Sequence, residues 1–139
     1  MNEDDFETLV REGFESLPQW VREKIKNVAL LVEAFPSIEE RRAQGLRRNE
    51  TLLGLYKGVP LSRRGDYYGV GAVLPDTITI YREPILETAY EDGDDEQSGV
   101  YRERVRKIVA DTVWHEYAHH FGMNEHEVRT REKQKGIEY

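Results

Sequence analysis

The stretch Trp114-His115-Glu116-Tyr117-Ala118-His119-His120-Phe121-Gly122-Met123-Asn124-Glu125-His126-Glu127 holds all four histidines of the chain. Its centre, His115 to His119, has the form H-E-x-x-H. On an α-helix, residues four apart lie about 40° round the axis and one turn, about 5.4 Å, along it. Both imidazoles then face one point and can hold a single Zn²⁺ at about 2.0–2.1 Å. Glu116 lies beside them, too far round to be a comfortable ligand but placed to reach a metal-bound water. A histidine on a helix is often only a packed or surface residue, and H-E-x-x-H also arises by chance. Against that, two buried histidines next to a buried glutamate are costly without a metal or partners. Metal binding is the expectation.

Working outward, Val100 to Phe121 has the pattern of one long helix, with Val105, Ile108, Val109, Thr112 and Val113 as its buried stripe. Counted at about 100° per residue, His115, His119 and Glu116 continue that stripe, while Trp114 and Phe121 point roughly opposite. This predicts a zinc site lying against a sheet. Gly122 ends the helix, and Asn124 can cap a final helix running through Glu132. Glu125 falls six residues after His119, giving H-E-x-x-H-x-x-G-x-x-E. The metzincin pattern has a third histidine where Glu125 stands, and carboxylate is an accepted third zinc ligand. Glu125 is therefore favoured over His126, one residue off register, and over a more distant acid such as Glu132. No later methionine is present to make a Met-turn. Asp111, one turn before His115, is expected at the surface; its alternative role is to orient an imidazole. Tyr81, Tyr101 and Tyr117 are candidates to stabilise an oxyanion, and spacing selects none of them.

Upstream, apolar residues at helical spacing predict a helix over Glu3 to Ser16 and a short second one over Pro18 to Glu23. Asn27 to Glu33 and Leu52 to Lys57 read as strands. Between them, Pro36 to Glu40 is a break with a short helical turn. Thr77 to Tyr81 alternates strictly, so its isoleucines face one way and its threonines and Tyr81 the other. It is either a sheet edge, onto which an extended peptide could add as a strand, or an ordinary core strand. Pro84 opens a short helix, Ile85 to Ala89. Arg63 to Gly71 is a glycine-rich loop, and Glu91 to Gly99 is an acidic, solvated one that lacks the EF-hand calcium spacing. Helices, three strands, then helices make an α+β domain, with helices packed on a small sheet of three to four strands.

A chain of 139 residues is expected to form a single domain, residues 1–139, with a core of its own. It has no cysteine, which excludes disulfides, thiolate metal sites and thiol nucleophiles. Its net charge of −7 argues against nucleic acid as a partner. The arginine pairs at 41–42, 47–48 and 63–64 are expected to be solvated surface, with a partner patch as the alternative. The acidic N-terminus has no signal-peptide character, and no run approaches the roughly 20 apolar residues that span a bilayer. The expectation is a cytoplasmic monomer without membrane contact.

Several motifs, in order, now carry a resemblance. Leu17 to Glu33 (L-P-Q-W-V-R-E-K-I-K-N-V-A-L-L-V-E), Leu52 to Leu61 (L-L-G-L-Y-K-G-V-P-L), Leu74 to Leu86 (L-P-D-T-I-T-I-Y-R-E-P-I-L) and His115 to Gly122 (H-E-Y-A-H-H-F-G) together resemble a family of small bacterial metallopeptidases with a minimal zincin-like fold. The resemblance runs from about Leu17 to Val128. It implies a compact zincin with zinc on His115, His119 and Glu125, Glu116 as the base, and a peptide or protein as substrate. The competing expectation is a zinc-binding or partner-binding domain without catalysis. Glu116 is the residue that speaks for chemistry, since a structural site needs no base.

Overall fold

The computed structural model describes residues 1–45, 52–58 and 75–120. Glu125, His126, the glycine-rich loop at 63–71 and the expected final helix lie outside the described residues. The order of elements is α1 (Glu3–Glu15), α2 (Gln19–Lys24), β1 (Val28–Glu33), α3 (Ile38–Ala43), β2 (Gly54–Lys57), β3 (Asp76–Tyr81), α4 (Arg82–Ala89) and α5 (Gly99–His120). The architecture is α+β, with a three-stranded sheet among the described residues.

Local chemistry accounts for most boundaries. Asn2 caps α1, its side chain accepting the Asp5 N–H, and the acidic first turn suits the positive end of the helix dipole. Ser37 caps α3 in the same way, accepting from Glu40 N. Ser98 accepts the Tyr101 N–H at 3.1 Å and starts α5. α4 begins three residues before the expected Ile85, because Pro84 fits a first turn where its missing N–H costs nothing.

The sheet order is β1-β3-β2, with β1 parallel to β3 and β2 antiparallel to it. Of the two readings of Thr77 to Tyr81, sheet edge and core strand, the edge is corrected and the core strand holds. β3 is the central strand and carries ladders on both sides, so it has no free row of N–H and C=O groups for a peptide. The alternation holds, but both of its faces are covered: Ile78, Ile80 and Tyr81 are fully buried and Thr79 nearly so. A strand buried on both faces needs its polar residues accommodated, and here they are short or hydrogen-bonded.

α5 packs on the sheet and is itself the centre of the domain. Val105, Val109 and Val113 are fully buried as expected, but so are Trp114 and Ala118 on the opposite side. Trp114 meets Trp20 of α2 edge to face at 5.4 Å and stacks on Tyr117 at 6.2 Å. The expectation that Trp114 points away from the core is therefore corrected. Periodicity located one covered face, and α2 covers a second. Ile108 is only half-buried.

Two glycines permit this central packing. A Cβ on Gly13 of α1 would lie 2.7 Å from the Arg106 carbonyl oxygen. A Cβ on Gly54 of β2 would lie 2.6 Å from Thr112 Cγ2 and 3.0 Å from the Thr79 carbonyl oxygen. The Thr112 hydroxyl bonds back to the Ile108 carbonyl at 2.7 Å, which turns its methyl towards Gly54. Gly54→Ala is expected to destabilise the protein by roughly 1–3 kcal/mol through overpacking. Urea unfolding would show a lower midpoint at an unchanged slope. An unchanged midpoint would mean that α5 withdraws from the sheet without cost.

Candidate metal centre

α5 presents His115, Glu116 and His119 in its last two turns. His115 and His119 lie on the same side of the helix as Ile108 and Asp111, past the end of α4. Glu116 is near enough to Tyr81 of β3 to act on its hydroxyl, so this part of the motif lies beside the sheet. His119 is exposed and the His115 side chain retains 25% of its exposure. Glu116 is more enclosed. Burial pushes its carboxyl up from the usual range, and the two nearby histidines only partly oppose this.

His115 is held from behind. Its Nδ1 lies 3.0 Å from the carbonyl oxygen of Asp111, one turn earlier. The Asp111 carboxylate Oδ1 is nearer still, at 2.8 Å. That oxygen is buried and accepts no hydrogen bond among the described residues, so it acts as an electrostatic neighbour while the carbonyl takes the N–H. With Nδ1 as donor, Nε2 is left as the basic nitrogen. Asp111, expected mainly as a surface carboxylate, is thus the residue that orients His115; its position one turn upstream was the available signal.

The His115 and His119 rings lie 6.1 Å apart, centroid to centroid, at 77°. Two imidazoles sharing one zinc at about 2.0–2.1 Å have centroids roughly 5–6 Å apart, close to this separation. Neutral imidazole nitrogens beside a carboxylate suit zinc, and these two residues fit it. Among the described residues no three His, Asp or Glu side chains converge on one point, and Glu125 and His126 lie beyond them.

The three tyrosines separate. The Tyr101 hydroxyl donates to the Leu86 carbonyl at 3.3 Å, at the far end of α5. Tyr117 packs against Trp114 and Tyr56. Tyr81 is the one whose hydroxyl feels Glu116. It donates to Glu40, and its pKa is raised by burial first, then by Glu40, with Glu33 and Glu116 adding to the effect. Lys57 Nζ reaches the same Glu40 at 3.4 Å. Glu40 thereby ties α3 to the end of β3 beside the site, a link with no signal in the sequence because the two residues are 41 positions apart.

The acidic loop is ordered by its own side chains. Asp94 accepts the Glu91 N–H at 2.8 Å and pairs with Arg104 of α5; these contacts hold its carboxyl below the usual range. Gly93, at φ 88°, makes the left-handed turn this requires. No helix among the described residues is long and apolar enough to cross a membrane.

The geometry predicts that His115 of the metal-free protein carries its proton on Nδ1. Long-range ¹H–¹⁵N correlation of the histidine rings near pH 8, above the ordinary imidazole pKa of about 6.5, reads the tautomer directly. A dominant Nε2–H form would show that Asp111 does not orient the ring.

The model of the zincin-like metallopeptidase family matches residues 25–135, from before β1 to beyond α5. A comparison with curated proteins finds no match.

Proposed function

Because the chain belongs to the zincin-like metallopeptidase family, we propose that it is a zinc-dependent peptidase, with the metal on His115, His119 and Glu125 and with Glu116 as general base. The observation that carries this reading is the pairing of an oriented His115 with a half-buried Glu116 on the same turn of α5. Bound zinc would supply a polarised substrate carbonyl and a water whose pKa falls towards about 7.

The remaining work falls to the chain's own side chains. Asp111 keeps the His115 proton on Nδ1, so Nε2 is available without a tautomer change. Glu116 takes a proton from water at a carboxylate oxygen and returns it to the leaving amine. Its raised pKa brings it closer to the strength of a base that must also release the proton. Tyr81 is the tyrosine best placed to approach a developing oxyanion, if Glu40 yields its hydroxyl. A purely structural site would have no use for a desolvated carboxylate beside the two histidines, which favours catalysis over the non-catalytic alternative. The substrate class is peptide or protein.

The test combines metal content with cleavage of a peptide library. Glu116→Gln is expected to keep near-stoichiometric zinc while cleavage falls by about 10²–10⁴-fold. His119→Ala is expected to lose both. Full cleavage by Glu116→Gln would remove the general base from this account. Absence of zinc after reconstitution of the parent protein would remove the metal centre itself.

A further inference from the structure

A groove of about 260 Å³ opens between the end of α4 and the middle of α5. Its apolar surface comes from Ile108, Ala89 and Thr88, and Asp111 closes the end nearest His115. We propose that this groove is the subsite that receives an apolar side chain, branched aliphatic or aromatic, of the peptide bound at the metal centre. The inference rests on the peptidase reading and adds to it the residue class that the enzyme selects.

Three observations point to this occupant. The first is continuity. Arg104, Ile108, Asp111, His115 and His119 follow one another at three- and four-residue steps, so they form one strip along α5, within about 80° of arc. Asp111 belongs to both ends of it: it lines the groove and its carbonyl holds His115. A peptide at the metal centre therefore has the groove as its neighbour, about one to two helical turns away.

The second is charge. The groove carries two basic residues, Arg104 and Lys107, and two acidic ones, Glu91 and Asp111. Arg104 is spent on its neighbours, donating to the Ala89 carbonyl at 3.0 Å and pairing with Asp94 and Glu91. The signs balance, so the groove offers no net field to select a charged side chain, and its surface is mostly apolar.

The third is size and stiffness. A cavity of about 150 Å³ lined by aliphatic and aromatic side chains suffices for benzene, so this groove accepts a leucine or phenylalanine side chain. Its walls are set before binding, because Arg104 staples the α4 terminus to α5 and Ile108 sits on a helix whose Val105, Val109 and Val113 are fully buried. Little ordering cost remains to be met on binding.

The experiment uses the zinc-loaded Glu116→Gln chain, which binds without cleaving, and a peptide series with Leu, Phe, Ala, Asp or Lys placed in turn at each position. At one position Leu or Phe is expected to bind about tenfold or more tighter than Ala, Asp or Lys. Adding Thr88→Trp, at an exposed position on the groove wall, is expected to abolish that advantage. Adding Glu87→Trp, exposed and outside the groove, tests bulk alone and is expected to preserve it. Adding Ile108→Ala is expected to shift the preference from Leu towards Phe. No apolar preference at any position, or one that survives Thr88→Trp and does not move with Ile108→Ala, overturns the proposal. Cleavage by the parent is read separately. An apolar preference lost in Thr88→Trp, in a protein that cleaves nothing, would keep the subsite and sink the peptidase. Cleavage with a preference indifferent to the groove would do the reverse.

Discussion

Trp114 immediately precedes the H-E-x-x-H segment and has no exposed surface. Burying an indole removes about 150–250 Å² from water, worth roughly 4–6 kcal/mol at 25 cal/mol/Å² before entropy is subtracted. With Val105, Val109 and Val113 buried on other sides, that contribution fixes the rotation of α5 about its own axis. Asp111, His115 and His119 fall on the arc left over. Aromatic packing behind the motif is thus what aims the histidines, and Trp20 of α2 belongs to the positioning of the site although it lies far from it in sequence.

The same crowding explains the small residues. A helix in the middle of a domain must approach a sheet on one side and a helix on another, and both approaches are closest at glycine, Gly54 and Gly13. Thr112 links the two themes. Its hydroxyl is returned to the helix, its methyl meets Gly54, and the next turn along the helix carries Glu116. The spacing between sheet and helix that Gly54 allows therefore also sets how deeply Glu116 is enclosed, and enclosure is the first cause of its raised pKa.

α4 ends at Ala89, and the acidic turn after it folds back onto Arg104. Among the described residues, His115 and Glu116 in the later part of α5 are half-buried and His119 is exposed. The groove beside Ile108 is the place where α4 stops.

Much of this was legible from residues alone. The H-E-x-x-H pair, the long helix carrying it, the three strands and the α+β class depend on spacings within a few positions, and a helix or strand converts such spacings into geometry without outside help. Asp111 was legible in the same way, one turn before His115, although its weight could not be judged. What only the tertiary structure decided involves partners distant in the chain. β3 lies at the centre of the sheet because β1 and β2 both pair with it, and no local pattern distinguishes a central strand of that length from an edge. Trp114 faces inward because α2 is there to receive it. Glu40 meets Tyr81, and the α4–α5 groove exists, because chain segments tens of residues apart were brought together by burial of a shared core. Local spacing determines which side chains share a face; only packing determines which faces are covered, and so which of them remain to do chemistry.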